Sequence, residues 1–96
     1  MGPLQRLQSG RYALHGALVL DTVAGLRREG LRQFMTDSGA LRVDLSDVSS
    51  ADSGGLALLV DWLAWAAASG RELHYEHIPE SLLALARISD VSELLT

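Results

Sequence analysis

The sequence predicts an α/β fold: a mixed β-sheet of about four strands with helices mainly on one face. Two observations carry that expectation. Short runs that alternate polar and apolar residues, RYALH at 11–15 and LRVDL at 41–45, have the period of half-buried strands. Longer stretches with helical spacing lie between and after them, in the order β-β-α-β-α-β-α.

Leu4 to Leu7 alternates weakly, and Ser9-Gly10 reads as a turn into Arg11 to His15, so the first two strands form a hairpin that Gly16 ends. Asp21 or Thr22 caps a first helix running to about Asp37, with Val23, Leu26, Gly30 and Phe34 on one face and Ser38-Gly39 as its stop. Leu41, Val43 and Leu45 give a third strand ending near Ser46. After the polar stretch DVSSAD, Ser53-Gly54-Gly55 opens a long apolar helix to about Ser69, where Gly70 suits the C′ position. Glu72 to Ile78 reads as a fourth strand, and Pro79-Glu80 opens a third helix to about Ile88. The tail from Val91 to Thr96 fits one helical turn or a short strand.

A chain of 96 residues with 48% hydrophobic and 21% charged residues is expected to form one ordinary globular domain over 1–96, with a thin core. It has no cysteine, which excludes a disulfide framework, a thiolate nucleophile and a cysteine metal site. The formal charge is −4 and the eight basic residues are all arginine, scattered except for Arg27, Arg28 and Arg32, so no basic stripe follows a nucleic-acid backbone. MGPLQRLQSG lacks the apolar core of a signal peptide, and Arg6 breaks the myristoylation pattern. The apolar stretch from Leu56 to Ala68 is interrupted by Asp61 and falls short of the roughly 20 residues that span a bilayer. These features predict a soluble protein.

Residues 45–56, LSDVSSADSGGL, carry the most information. Asp52 or Ser53 can cap the helix by accepting from its free N–H groups. Glycine costs a helix about 1 kcal/mol against alanine, so Gly54 and Gly55 in the first turn indicate that something approaches the backbone there. The helix N-terminus would favour a phosphate on Ser53, whereas Asp52 and Asp47 would oppose one. An ordinary N-cap with a glycine-rich turn fits the same residues.

The run D-S-G-G-L-A-L-L, preceded by V-D-L-S-D-V-S-S, resembles the signature of STAS domains, the family of sulfate-transporter and anti-sigma-factor-antagonist domains. Tyr12 to Leu18 resembles that family's strand leading to G-x-L, and Arg71 to His77 its last long strand. The branch most similar is the MlaB-like one, the STAS subunits of the Mla phospholipid-transport ABC complex of Gram-negative bacteria. Its marks here are Gly-Gly at 54–55, G-L-A-L-L at 55–59 and the final helix L-L-A-L-A-R-I at 82–88. The resemblance implies a STAS fold and a non-catalytic subunit that binds and regulates an MlaF-like cytoplasmic ATPase, and through it the membrane permease, to maintain outer-membrane lipid asymmetry. It places the chain in the cytoplasm, peripheral to the inner membrane. It also implies an alternative, an anti-sigma-factor antagonist phosphorylated on Ser53 by an anti-sigma factor kinase. Gly54 departs from the Ser or Thr usual in the antagonists, which weighs against that switch.

On a wheel of 3.6 residues per turn, Leu56, Leu59, Val60, Leu63, Ala66 and Ala67 face the sheet. The other side carries Leu58, Asp61, Trp65 and Ala68, with Trp62 at its edge, where a surface helix should be polar. The expected partner-binding residues are therefore Asp52, Ser53, Gly54, Leu58, Asp61, Trp62 and Trp65, tryptophan being a favoured interface anchor. A loop or the last helix covering that side is the competing arrangement.

No catalytic, cofactor or metal residue is expected. His74 and His77, three apart on a strand, point to opposite faces. A-D-S-G-G is not the G-x-S-x-G elbow, and no P-loop sequence occurs. Arg27, Arg28 and Arg32 read as a solvated helix face, with contact to lipid headgroups or an acidic partner as the alternative.

Overall fold

A computed structural model describes residues 2–95. The strands are β1 (Leu4–Gln8), β2 (Arg11–Leu18), β3 (Leu41–Ala51) and β4 (Leu73–Glu76); the helices are α1 (Leu20–Phe34), α2 (Ser53–Ala68), α3 (Glu80–Ile88) and α4 (Ser92–Leu95). The sheet has the order β1-β2-β3-β4, antiparallel between β1 and β2 and parallel thereafter. Leu41, Val43 and Leu45 of β3 are fully buried beneath the helices, while Arg42 is exposed on the other side. On that open side Glu76 pairs with both Arg11 and Arg42, as expected for a sheet covered on one face.

Several boundaries differ from the sequence reading. Gly16 does not end β2: it takes φ +87° at an irregularity inside the strand. The pairing resumes from Ala17–Ser50 to Leu18–Ala51, so β3 runs five residues past Ser46. The cap of α1 is Val19, two residues before the expected pair, with Thr22 Oγ1 accepting from Val19 N–H at 3.3 Å. β4 stops at Glu76 because His77 adopts φ 55°, outside the extended region. His77 therefore does not lie on the strand, and the argument from strand faces does not apply to it. It pairs with Asp44 at 2.9 Å.

One anchor escaped the sequence reading. Asp37, just beyond α1, is buried; it accepts from Arg6 Nη2 at 2.8 Å, from Ser9 and from the Tyr12 hydroxyl, tying the end of α1 to the hairpin. The bonds from Arg6 and Tyr12 hold its carboxyl far below the usual carboxylate range, and burial together with the Asp37 bond pushes Tyr12 up to about 12.

Candidate functional site

The structure resolves which residue caps α2. Asp52 has extended φ and ψ, and its carboxylate accepts Gly54 N–H at 2.8 Å and Gly55 N–H at 3.2 Å. Its other oxygen accepts Leu20 N–H, at the start of α1, at 3.2 Å. One side chain thus fastens the first turns of both helices. These donors, Leu20 N–H foremost, hold the Asp52 carboxyl below the usual carboxylate range.

The glycine pair does signal close approach, and what approaches is the chain itself. A Cβ on Gly55 would lie 2.9 Å from Leu18 Cγ and nearer still to the Leu18 carbonyl oxygen; one on Gly54 would lie 2.9 Å from Leu20 Cα. The first turn of α2 is pressed against the junction where β2 passes into α1. Glycine is required there by packing, with no partner needed to explain it.

The tryptophan reading is corrected. Trp62 is 0% exposed and Leu58 is 3% exposed. Their side of α2 is covered by α1, not by a loop or the last helix. Trp62 packs where Gly30 of α1 leaves room: a Cβ there would meet its Cε2 at 2.7 Å. Its ring sits edge-on to Phe34, with centroids 5.2 Å apart. Trp65 is half-buried, stacked on Phe34 at 5.9 Å with the Arg71 guanidinium 5.8 Å from its ring. The wheel assumed that α2 rests only on the sheet. A helix flanked by a second helix buries two sides, and the tryptophans serve the second.

What remains outward is narrower. Ser53, Ala57, Asp61 and Ala64 are exposed at successive turns, small side chains except for Asp61. Asp61 pairs with Arg27 of α1; both side chains stay exposed at the surface, so the ridge carries an ion pair that joins α2 to α1. Arg32 pairs with Glu29 on its own helix. On the α1 side of the ridge, a hollow of about 340 Å³ is lined by Leu20, Val23, Ala24 and Gly54 among others. On the α3 side, one of about 350 Å³ is lined by Leu56 and Val60 with Ser89 and Val91. Leu20 is 70% exposed at the rim. Of the seven residues expected to meet a partner, Asp52, Ser53, Gly54 and Asp61 thus lie together at this ridge, Trp62 and Leu58 are interior, and Trp65 is half-buried. The sequence reading did not place Leu20, Ala57, Val60 and Ala64 here; Ala57, Val60 and Ala64 follow Ser53 at helical spacing on α2, whereas Leu20 comes from the start of α1 and carries no such signal.

Among the described residues no group of three or more His, Asp or Glu side chains is arranged to hold a metal ion. No described helix is long and apolar enough to cross a membrane.

The mixed sheet, the helices on one face and the Asp-capped helix after the long third strand define a STAS-type α/β domain. The family model described as "Mlab, STAS domain" matches residues 4–96, and the chain belongs to that family. The family is generally non-catalytic. Comparison with curated proteins finds no match.

Proposed function

We propose that this chain is a non-catalytic subunit that binds and regulates the cytoplasmic ATPase of an ABC-type phospholipid transporter. Its place is then in the cytoplasm, held at the inner membrane through the transporter. Family membership supports the reading, and one observation carries it: the outward ridge Ser53-Ala57-Asp61-Ala64 lies between two apolar hollows. Side chains this small let a partner's backbone come close, while the hollows take its larger apolar groups. Regulation follows if the ATPase conformation that fits the ridge is bound more tightly than the other, since a partner shifts an equilibrium only by its differential affinity.

The test is co-purification with an MlaF-like ATPase carrying a P-loop. Ala57→Arg fills the ridge from an exposed position, and Ser53→Asp adds charge beside Asp52. Both are expected to remove the complex while circular dichroism stays native. Undiminished complex yield for the two variants would defeat the proposal. The second reading, an anti-sigma-factor antagonist, draws support from the exposed Ser53 at the helix start. Asp52 already takes the N–H groups a phosphate would seek and would repel it. Stoichiometric phosphorylation of Ser53 by a partner kinase, read by intact mass, would favour that reading over the transporter.

A further inference from the structure

The edge of the sheet at β4 is open, and its residues are self-complementary. Leu41 N–H donates to Glu72 O at 2.9 Å. In this parallel ladder the even-numbered residues of β4 therefore turn their amide groups to β3, and Leu73 and Tyr75 turn theirs outward. Among the described residues those outward groups have no backbone partner. Edge strands are usually blunted by charged side chains, proline, bulges or coverage, and among the described residues β4 has neither proline nor coverage. Here the open side carries His74, which is exposed, and Glu76, which is half-buried and already held by Arg42 at 3.4 Å and Arg11 at 3.8 Å; a carboxylate so held keeps acceptor sites to spare for an imidazole across the edge.

We propose that β4 pairs antiparallel with β4 of a second copy of this chain, centred on Tyr75, to make one continuous sheet. Register decides the case. A one-residue slip would set the buried face of one strand beside the open face of the other. Centring on His74 opposes His74 to His74 and Glu72 to Glu76; centring on Glu76 opposes Glu76 to Glu76. Only the Tyr75-centred register sets each His74 across from the other copy's Glu76, with the outward Tyr75 amides exchanging hydrogen bonds. The two-fold axis is then perpendicular to the sheet, so both helix layers lie on one side. Beside the edge on that side is a groove of about 500 Å³, lined by Leu73, Ile78, Leu83, Leu94 and Leu95 among others, with Leu94 55% exposed. The symmetry brings the two grooves face to face, which covers Leu94. The α2 ridge takes no part.

Sedimentation velocity across a concentration series, together with hydrogen exchange at the Tyr75 amide, tests the pairing. The mass should rise from 10.3 kDa toward twice that value as concentration increases, with exchange at Tyr75 slowing in step. His74→Glu should raise the dissociation midpoint about fivefold to tenfold by setting carboxylates opposite each other, whereas His74→Gln, which keeps a donor across from Glu76 and leaves its pairs with Arg11 and Arg42 in place, should stay near the parent value. Ala57→Arg should leave dimerisation unchanged, which keeps this result separate from the fate of the transporter reading. A single 10.3 kDa species throughout, a dimer whose Tyr75 amide stays unprotected, or a dimer abolished by Ala57→Arg overturns the pairing.

Discussion

Gly55→Ala isolates the claim that the glycine pair exists for internal packing. The added methyl points at Leu18, which is 1% exposed and lies at the end of β2. It would sit 2.9 Å from Leu18 Cγ and closer to the Leu18 carbonyl oxygen, which already accepts Asp52 N–H at 3.2 Å. A side chain could rotate away; a strand carbonyl cannot without displacing α2 or breaking that bond. Alanine gains about 1 kcal/mol of helix propensity over glycine. Overpacking costs about 1–3 kcal/mol and more when backbone must shift, so a net loss of about 2 kcal/mol is expected. For a domain of this size that lowers Tm by about 8–16 °C. Urea and thermal unfolding of the isolated chain, followed by tryptophan fluorescence, measure it with no partner present. An unchanged midpoint combined with weakened ATPase binding would refute the packing account and return the glycines to the interface.

Trp65→Glu is expected to destabilise the isolated chain by about 2 kcal/mol, because it removes the stack on Phe34 and the Arg71 contact; the loss is read in the same urea titration, and complex yield should fall only as far as the folded fraction does. Asp37→Asn should cost about 2 kcal/mol at neutral pH, by weakening the buried bonds from Arg6 and Tyr12. The folded Asp37 pKa lies below its unfolded value of about 3.9, so the unfolded chain binds the proton first on acidification. Its contribution is complete above that value and lost as pH falls through it toward the folded pKa. Urea midpoints between neutral pH and pH 2 should therefore fall less steeply in Asp37→Asn than in the parent chain.

The fold was legible because its signals are local. Alternation at 41–45 marks β3, Gly70 marks the end of α2, and Pro79 marks the start of α3. The second half of β3 was not legible: Asp47, Ser49 and Ser50 read as loop, and only the long-range pairing with β2 makes them strand. The site was half legible for a related reason. Asp52 and Ser53 announce themselves through capping chemistry, which depends on neighbours in sequence. Which side of α2 stays wet depends on α1, which enters through Gly30. A glycine on the buried face of a predicted helix opposite a long apolar helix was the available clue, since it marks where a large side chain can dock. Asp37 was obscured because its partners Arg6 and Tyr12 lie 31 and 25 residues away.

Asp52 gives the proposed site its mechanical character. One oxygen accepts from Gly54 and Gly55 and the other from Leu20, so the first turns of α2 and α1 are held together by a single carboxylate. Those two turns border the apolar hollow on the α1 side. Asparagine keeps one acceptor oxygen but presents an NH₂ group where the other oxygen stood. If the oxygen stays with the N–H groups of α2, where two donors converge, Leu20 N–H loses its partner and faces another donor. The start of α1 then loosens while α2 remains capped. Asp52→Asn should accordingly speed amide exchange at Leu20 more than at Gly54, and reduce ATPase capture by more than the change in unfolding midpoint explains. A phosphate on Ser53 would compete for the same N–H groups, so modification there would disturb α1 as well as α2. Unaltered exchange at Leu20 in Asp52→Asn, or full ATPase capture despite faster exchange, would break this link between the shared cap and the shape of the docking surface.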